Sequence, residues 1–137
     1  MLKITSQQLS AIITHAKESN PHECCGLIGG IETVATSVYR TNNVAKTPLS
    51  TYEAAPEQLF NAQKLMRERG EQLLAIYHSH PRSIEPTPSD TDVRLAYYPQ
   101  AAYLIIGLAG PQPIMHAFHI SEKDQTWKQV EYEIADE

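Results

Sequence analysis

Residues 73–92 read Leu73-Leu74-Ala75-Ile76-Tyr77-His78-Ser79-His80-Pro81-Arg82-Ser83-Ile84-Glu85-Pro86-Thr87-Pro88-Ser89-Asp90-Thr91-Asp92. The first five residues are a short apolar run that reads as a buried strand. Side chains alternate faces along a strand, so His78 and His80 share one side and Ser79 takes the other. Two imidazoles on one face at the end of a buried strand can share one metal ion. Asp92 lies twelve residues beyond His80 and can return as a third ligand once the proline-rich loop has turned. Asp90 is its rival. Three N/O ligands with a fourth position open to water describe a catalytic zinc site rather than a closed structural one. The stretch therefore implies a zinc hydrolase with one Zn2+ per chain.

The rest of the chain frames that strand. Ser6 is the expected N-cap of a first helix over 7–19, whose Leu9, Ile12, Ile13 and Ala16 form one apolar stripe. Asn20-Pro21 ends it. Cys25 to Gly30 reads as a core strand, and Thr33 to Arg40, rich in Val, Thr and Tyr, as its hairpin partner. The segment 42–53 is irregular, with room for a short edge strand. Pro56 opens a second helix that Gly70 stops. Ser89 starts a third helix reaching about Tyr98, and Pro99 terminates it. Three more strands are expected over 102–109, 114–120 and 126–134. The sum is a single α/β domain spanning residues 1–137, with a mixed central β-sheet flanked by helices.

Composition narrows the function. The chain has 137 residues, enough to bury a proper core as one domain. Its net charge is -5 and it has no basic run, which argues against nucleic acid and anionic membrane as partners. The adjacent pair Cys24-Cys25 is neither a disulfide framework nor a Cys-x-x-Cys knuckle. Residues 1–6 lack the apolar core of a signal peptide, and no apolar run has membrane-spanning length. A cytoplasmic protein is expected.

A zinc ion held by His78, His80 and Asp92 would lower the pKa of bound water from about 15.7 toward about 7. Such a site needs a further group to take the water's proton and pass it to the leaving amine, usually a Glu that is not a ligand. Glu23, Glu53, Glu57, Glu71 and Glu85 all qualify by type. Glu23 stands out because it sits at the mouth of a core strand, but spacing alone does not choose.

Taken in order, Pro21-x-Glu23-x-Cys25-Gly26-Leu27-Ile28-x-Gly30, His78-Ser79-His80-Pro81 and Ser89-x-x-Asp92 resemble the JAMM (MPN-plus) metalloprotease motif. The likeness continues into Tyr103-Leu104-Ile105-Ile106-Gly107-Leu108 and so covers nearly the whole chain. The resemblance implies a cytidine-deaminase-like JAMM/MPN fold, His78, His80 and Asp92 as zinc ligands, Glu23 as general acid/base, and Ser89 as an aid to the tetrahedral intermediate. It also implies an isopeptidase or peptidase. The compact prokaryotic members it resembles act on ubiquitin-like or sulfur-carrier proteins with a Gly-Gly tail. Whether the chain forms a homodimer is left open. One departure stands out: eight residues separate His80 from Ser89, where the family pattern has seven. The extra residue is assigned to 82–87, because an exposed loop absorbs it more easily than a coordination sphere does.

Other readings compete. Ser89-x-x-Asp92 is also a capping-box pattern, which is compatible with catalysis at a helix N-terminus. Cys24 and Cys25 read as small buried residues, and His15, His22, His116 and His119 carry no spacing signal. A cupin would place Glu85 after His-x-His but needs a glycine at 92 and a second histidine motif. A nucleobase deaminase needs His-x-Glu and Pro-Cys-x-x-Cys, which do not occur. The alternative from another class is a non-catalytic MPN-type scaffold, which would usually lack one or more of the ligands present here.

Overall fold

The structure is a computed structural model and describes residues 1–136. In chain order its elements are β1 (Leu2–Ile4), α1 (Ser6–Ser19), β2 (Cys25–Ile31), β3 (Val34–Thr41), α2 (Pro56–Arg69), β4 (Gln72–His80), α3 (Asp90–Arg94), β5 (Ala102–Gly107), β6 (Ile114–Ser121), β7 (Thr126–Val130) and β8 (Tyr132–Ile134). The strands form one mixed sheet in the order β7-β6-β5-β4-β2-β3-β1-β8. The sequence-predicted hairpin is β2 and β3, antiparallel from Cys25↔Thr41 to Ile31↔Val34. Strand β4 lies in the middle, antiparallel to β2 and parallel to β5.

The alternation expected of β4 sorts the core into two layers. Ala75 and Tyr77 pack with Ile12 and Ala16 of α1 and with Leu104 and Ile106 of β5. Ile76 faces the other way, with Ala62 and Met66 of α2, Val93 of α3 and Ile105. Full burial of an Ile or Leu side chain contributes about 1.5–3 kcal/mol, so each face holds its helices by apolar area. Residues 76, 78 and 80 share parity, which puts both histidines on the α2/α3 face at the C-terminal end of β4.

Local chemistry sets the helix ends, with corrections to the expected boundaries. Thr5, not Ser6, caps α1: its hydroxyl accepts from Gln8 N at 3.0 Å, and Gln8 Oε1 accepts from Thr5 N at 2.9 Å. Ser6 instead donates to Asp136. Gly70 ends α2 with φ of 70°, a left-handed conformation that glycine adopts without a Cβ clash. Helix α3 stops at Arg94 rather than near Tyr98, because the chain turns early toward β5. Tyr98 N donates to the Tyr103 hydroxyl at 3.2 Å, and Ala101 N donates to Tyr98 O at 3.1 Å.

The segment 126–134 is two strands rather than one. β7 pairs with β6, while β8 pairs in parallel with β1, a strand not anticipated from sequence. Only Glu131 separates β7 from β8, yet they occupy opposite ends of the strand order. Two peptide steps span about 7 Å, so the sheet curls until its edges nearly meet there. Among the described residues no helix is long and apolar enough to cross a membrane.

Candidate metal centre

His78 and His80 leave the end of β4 on the same face, while Ser79 points away and its hydroxyl accepts from Cys24 N at 2.8 Å. Asp92 reaches them from α3. The geometry that brings it back is a reciprocal capping box: Ser89 Oγ accepts from Asp92 N at 3.0 Å, and Asp92 Oδ2 accepts from Ser89 N at 2.9 Å. The same Oδ2 lies 3.1 Å from His78 Nε2 and 3.0 Å from His80 Nε2, and the two nitrogens are 3.1 Å apart. Asp90 is exposed. Of the two aspartates it is therefore Asp92 that the fold brings to the histidine pair.

The connecting loop is fastened more firmly than its proline content suggests. Ser83 N closes a turn onto His80 O at 3.0 Å, and Ala109 N donates to Ser83 O at 3.0 Å. The loop crosses Gly107 so closely that a Cβ there would lie 2.6 Å from Ser83 O. Within the 82–87 segment read as exposed, Arg82, Ile84, Glu85 and Thr87 are exposed but Pro86 is buried, as is Pro88 beyond it. The residue beyond the family spacing thus has open positions within 82–87, and burial of the two prolines keeps the Ser89 end fixed.

Glu23 completes the cluster. One ligand atom each from Glu23, His78 and His80 lie within 4.8 Å of one another, a group that could hold a metal ion. Glu23 precedes β2, which pairs Cys25 with His78, so the carboxylate arrives beside the histidines. Its amide donates to Pro48 O at 2.8 Å. The residue is 4% exposed, and Oε1 has no hydrogen-bond partner among the described residues. Burial pushes the carboxyl up to about 7; the His80 charge opposes this and the Asp92 charge adds to it.

Two of the other groups, Asp92 and His78, are biased in a way that suits cation binding. Burial acts to raise Asp92, but the charge and hydrogen bond of His78, with the bonds from His80 and Ser89 N, hold it well below the usual carboxylate range. That shift favours the ionised carboxylate. Burial lowers His78 despite Asp92, favouring the neutral imidazole that ligates metals. Burial also acts to lower His80, but Asp92 and Glu23 outweigh it and raise the pKa. Two imidazole nitrogens and a carboxylate oxygen converging within 3.1 Å are satisfied by one shared cation more completely than by each other's protons. The donor set fits a divalent ion such as zinc.

Sequence reasoning missed two neighbours. The ring of Tyr52 stacks on His78, centroids 4.4 Å apart at 23°, and Asn43 hydrogen bonds to the Glu23 carbonyl. Both come from the irregular stretch after β3, where no periodicity marks them. A cleft of about 340 Å³ reaches Asp92 between Tyr52, Leu59, Tyr98 and Tyr103. Of the remaining sequence candidates, Glu53 lines that cleft beside Tyr52, Glu85 pairs with His116 at 2.7 Å, and Glu71 bonds to hydroxyls of β3. Cys24 and Cys25 are buried free thiols, pushed up to about 12 and about 11 mainly by burial.

A curled mixed sheet with a histidine pair at the end of its central strand, closed by a helix-borne carboxylate, defines a JAMM/MPN-type domain. The chain belongs to the family of prokaryotic homologs of the JAB domain, whose profile matches residues 5–121. It is similar to the desampylase of Haloferax volcanii, 33% identical over 110 residues that cover 76% of this chain and 78% of that protein. It is also similar to the CysO-cysteine peptidase of Mycobacterium tuberculosis, 31% identical over 113 residues covering 81% and 76% of the two chains. The solution structure of protein DSY2949 from Desulfitobacterium hafniense superposes with a TM-score of 0.88 at 34% identity, covering 100% of this chain and 94% of that one. Family and relatives together make this chain an enzyme of the metallopeptidase class.

Proposed function

We propose that the chain is a zinc-dependent (iso)peptidase that hydrolyses an amide bond at the C-terminal tail of a ubiquitin-like or sulfur-carrier protein in the cytoplasm. The observation that carries this reading is the convergence of His78 Nε2, His80 Nε2 and Asp92 Oδ2 within 3.1 Å, with the unpartnered Glu23 carboxylate alongside. The similarity to a desampylase and to a CysO-cysteine peptidase supports the substrate class.

His78, His80 and Asp92 would hold the zinc. When bound, that ion supplies a Lewis acid that acidifies water and polarises the scissile carbonyl. Glu23 takes the water's proton on its free Oε1 and returns it to the nitrogen of the leaving amine as the C–N bond breaks, so the carboxylate is regenerated. A carboxyl raised by burial is suited to both transfers near neutral pH. Ser89 accepts from Asp92 N through its hydroxyl oxygen, which leaves the hydroxyl proton free to donate to the developing oxyanion. The cleft between Tyr52 and Tyr103 is the route for an extended tail, and glycines at its end would let the backbone approach the ligands closely.

The test is zinc content on native-purified protein, by mass spectrometry, for wild type and Asp92→Ala, followed by hydrolysis of Gly-Gly-tailed carrier conjugates. About one zinc per wild-type chain is expected, and much less in the variant. Wild-type protein that takes up no zinc when supplied with it would favour the non-catalytic scaffold.

A further inference from the structure

The imidazole of His78 is fully buried, and its Nδ1 has no hydrogen-bond partner among the described residues. A histidine that ligates a metal through one ring nitrogen ordinarily donates from the other to a carboxylate, a carbonyl or water, and that bond fixes its tautomer and ring angle. His78 lacks it. What meets the ring instead is Tyr52, stacked face to face at 4.4 Å.

Tyr52 stands in a stretch between β3 and α2 with no helix or strand of its own, only the bridge Asn43↔Ala54. It is nevertheless pinned. The Asn43 side chain donates through Nδ2 to Thr51 O and to Glu23 O, both at 2.9 Å. Its Oδ1 accepts from Ala45 N and from Glu53 N, both at 3.0 Å. Every hydrogen-bonding position of that amide is used. One side chain therefore grips the backbone on both sides of Tyr52 and, with the same nitrogen, holds the residue that carries the buried carboxylate.

We propose that Asn43 and Tyr52 form a strut that positions the metal centre. The Tyr52 ring orients His78 by packing where a hydrogen bond to Nδ1 would otherwise do so, and Asn43 fixes the spacing between that ring and Glu23. Both are positioning residues, and the assignment rests on the zinc reading above. The stacking surface, not the phenol hydroxyl, does the orienting. Phenylalanine should therefore replace Tyr52, and an aliphatic side chain should not.

Zinc affinity, measured by chelator competition on the full chain, and the visible d–d bands of the cobalt-substituted protein test this without recourse to activity. Tyr52→Phe should keep both at wild-type values. Tyr52→Leu should bind zinc about 10- to 100-fold more weakly, the usual penalty for losing an orienting partner, and shift the cobalt bands. Asn43→Ala keeps the ring but frees its backbone and should move both readouts in the same direction; it decides the matter alone if Tyr52→Leu does not fold. Wild-type affinity and unshifted bands in Tyr52→Leu and Asn43→Ala would overturn the strut. So would a Tyr52→Phe variant as weak as Tyr52→Leu, since the ring would then not be the orienting contact. Failure of the wild type itself to bind zinc is a different result, and it overturns the zinc reading together with this one.

Discussion

Glu23 and Glu71 are two buried carboxylates with opposite chemistry. Glu23 is 4% exposed and precedes β2; Glu71 is 9% exposed and sits beside Gly29 near the far end of the same strand. Glu71 has donors on both oxygens: Thr36 and Ser37 donate to Oε2, Tyr39 donates to Oε1, and Arg69 bonds to the Ser37 and Tyr39 oxygens. Burial acts to raise its pKa, but those hydroxyl donors and the Arg69 charge win and lower it. Glu23 has a free oxygen and a carboxyl pushed up to about 7. Burial alone does not distinguish a clamp from a reagent; the count of donors does. A carboxylate with donors on both oxygens ties the turn between α2 and β4 to β3, whereas one left with a free oxygen beside two imidazoles can take and release a proton.

The largest effect should come from removing the reagent. Glu23→Gln keeps shape and burial but cannot carry the proton. Turnover should fall by about 10²- to 10⁴-fold or more, with zinc content unchanged. Near-wild-type turnover in that variant would sink the assigned mechanism. The matching change at the other pole, Glu71→Gln, should leave turnover per folded molecule intact and cost about 2–4 kcal/mol of stability, as hydrogen bonds to a charged acceptor are lost. Urea denaturation with a parallel kinetic assay separates the two. A Glu71→Gln protein that is stable but inactive would erase the distinction drawn here.

How far the sequence anticipates this follows from where each signal resides. The β4 alternation, the β2–β3 hairpin and Gly70 as a stop are local patterns, and the structure follows them. The split of 126–134 is not local: it depends on β1 accepting β8 at the opposite edge, a pairing between the two ends of the chain that no short window contains. The end of α3 likewise depends on the Tyr103 hydroxyl capturing Tyr98 N. At the site, His78, His80, Ser89 and Asp92 are visible because strand parity and a capping box give them fixed spacing. Glu23 is reached only as one of five glutamates until the family resemblance singles it out, because nothing in spacing reveals which carboxylate lacks donors. Tyr52 and Asn43 have no periodic context at all. Their role depends on a stacking partner and on hydrogen bonds that exist only after folding.

The smallest effect, and the one that bears most directly on the comparison, is in the pH dependence of the metal-free protein. Glu23 has a folded-state pKa near 7, above its ordinary value of 4.5. Between those two values the folded state holds a proton that the unfolded state has released, so Glu23 favours folding fully below about 4.5 and progressively less as pH rises to about 7. Glu71 has the reverse sign: its pKa is lowered, so its contribution is present above the ordinary carboxylate value and is lost as pH falls. In chelator-stripped protein, Glu23→Gln should therefore gain on wild type by about 2–3 kcal/mol between pH 4.5 and 7, with the difference level above that. Glu71→Gln should instead approach wild type only on acidification. His80, whose charge opposes the rise at Glu23, is present in both Glu23 proteins. Removing its charge would raise the Glu23 carboxyl further, which carries the upper end of the window above 7. Thermal melts of the three proteins across pH 4.5 to 8 would read both signs, and parallel curves for Glu23→Gln and wild type would show that the free oxygen of Glu23 is satisfied in solution after all.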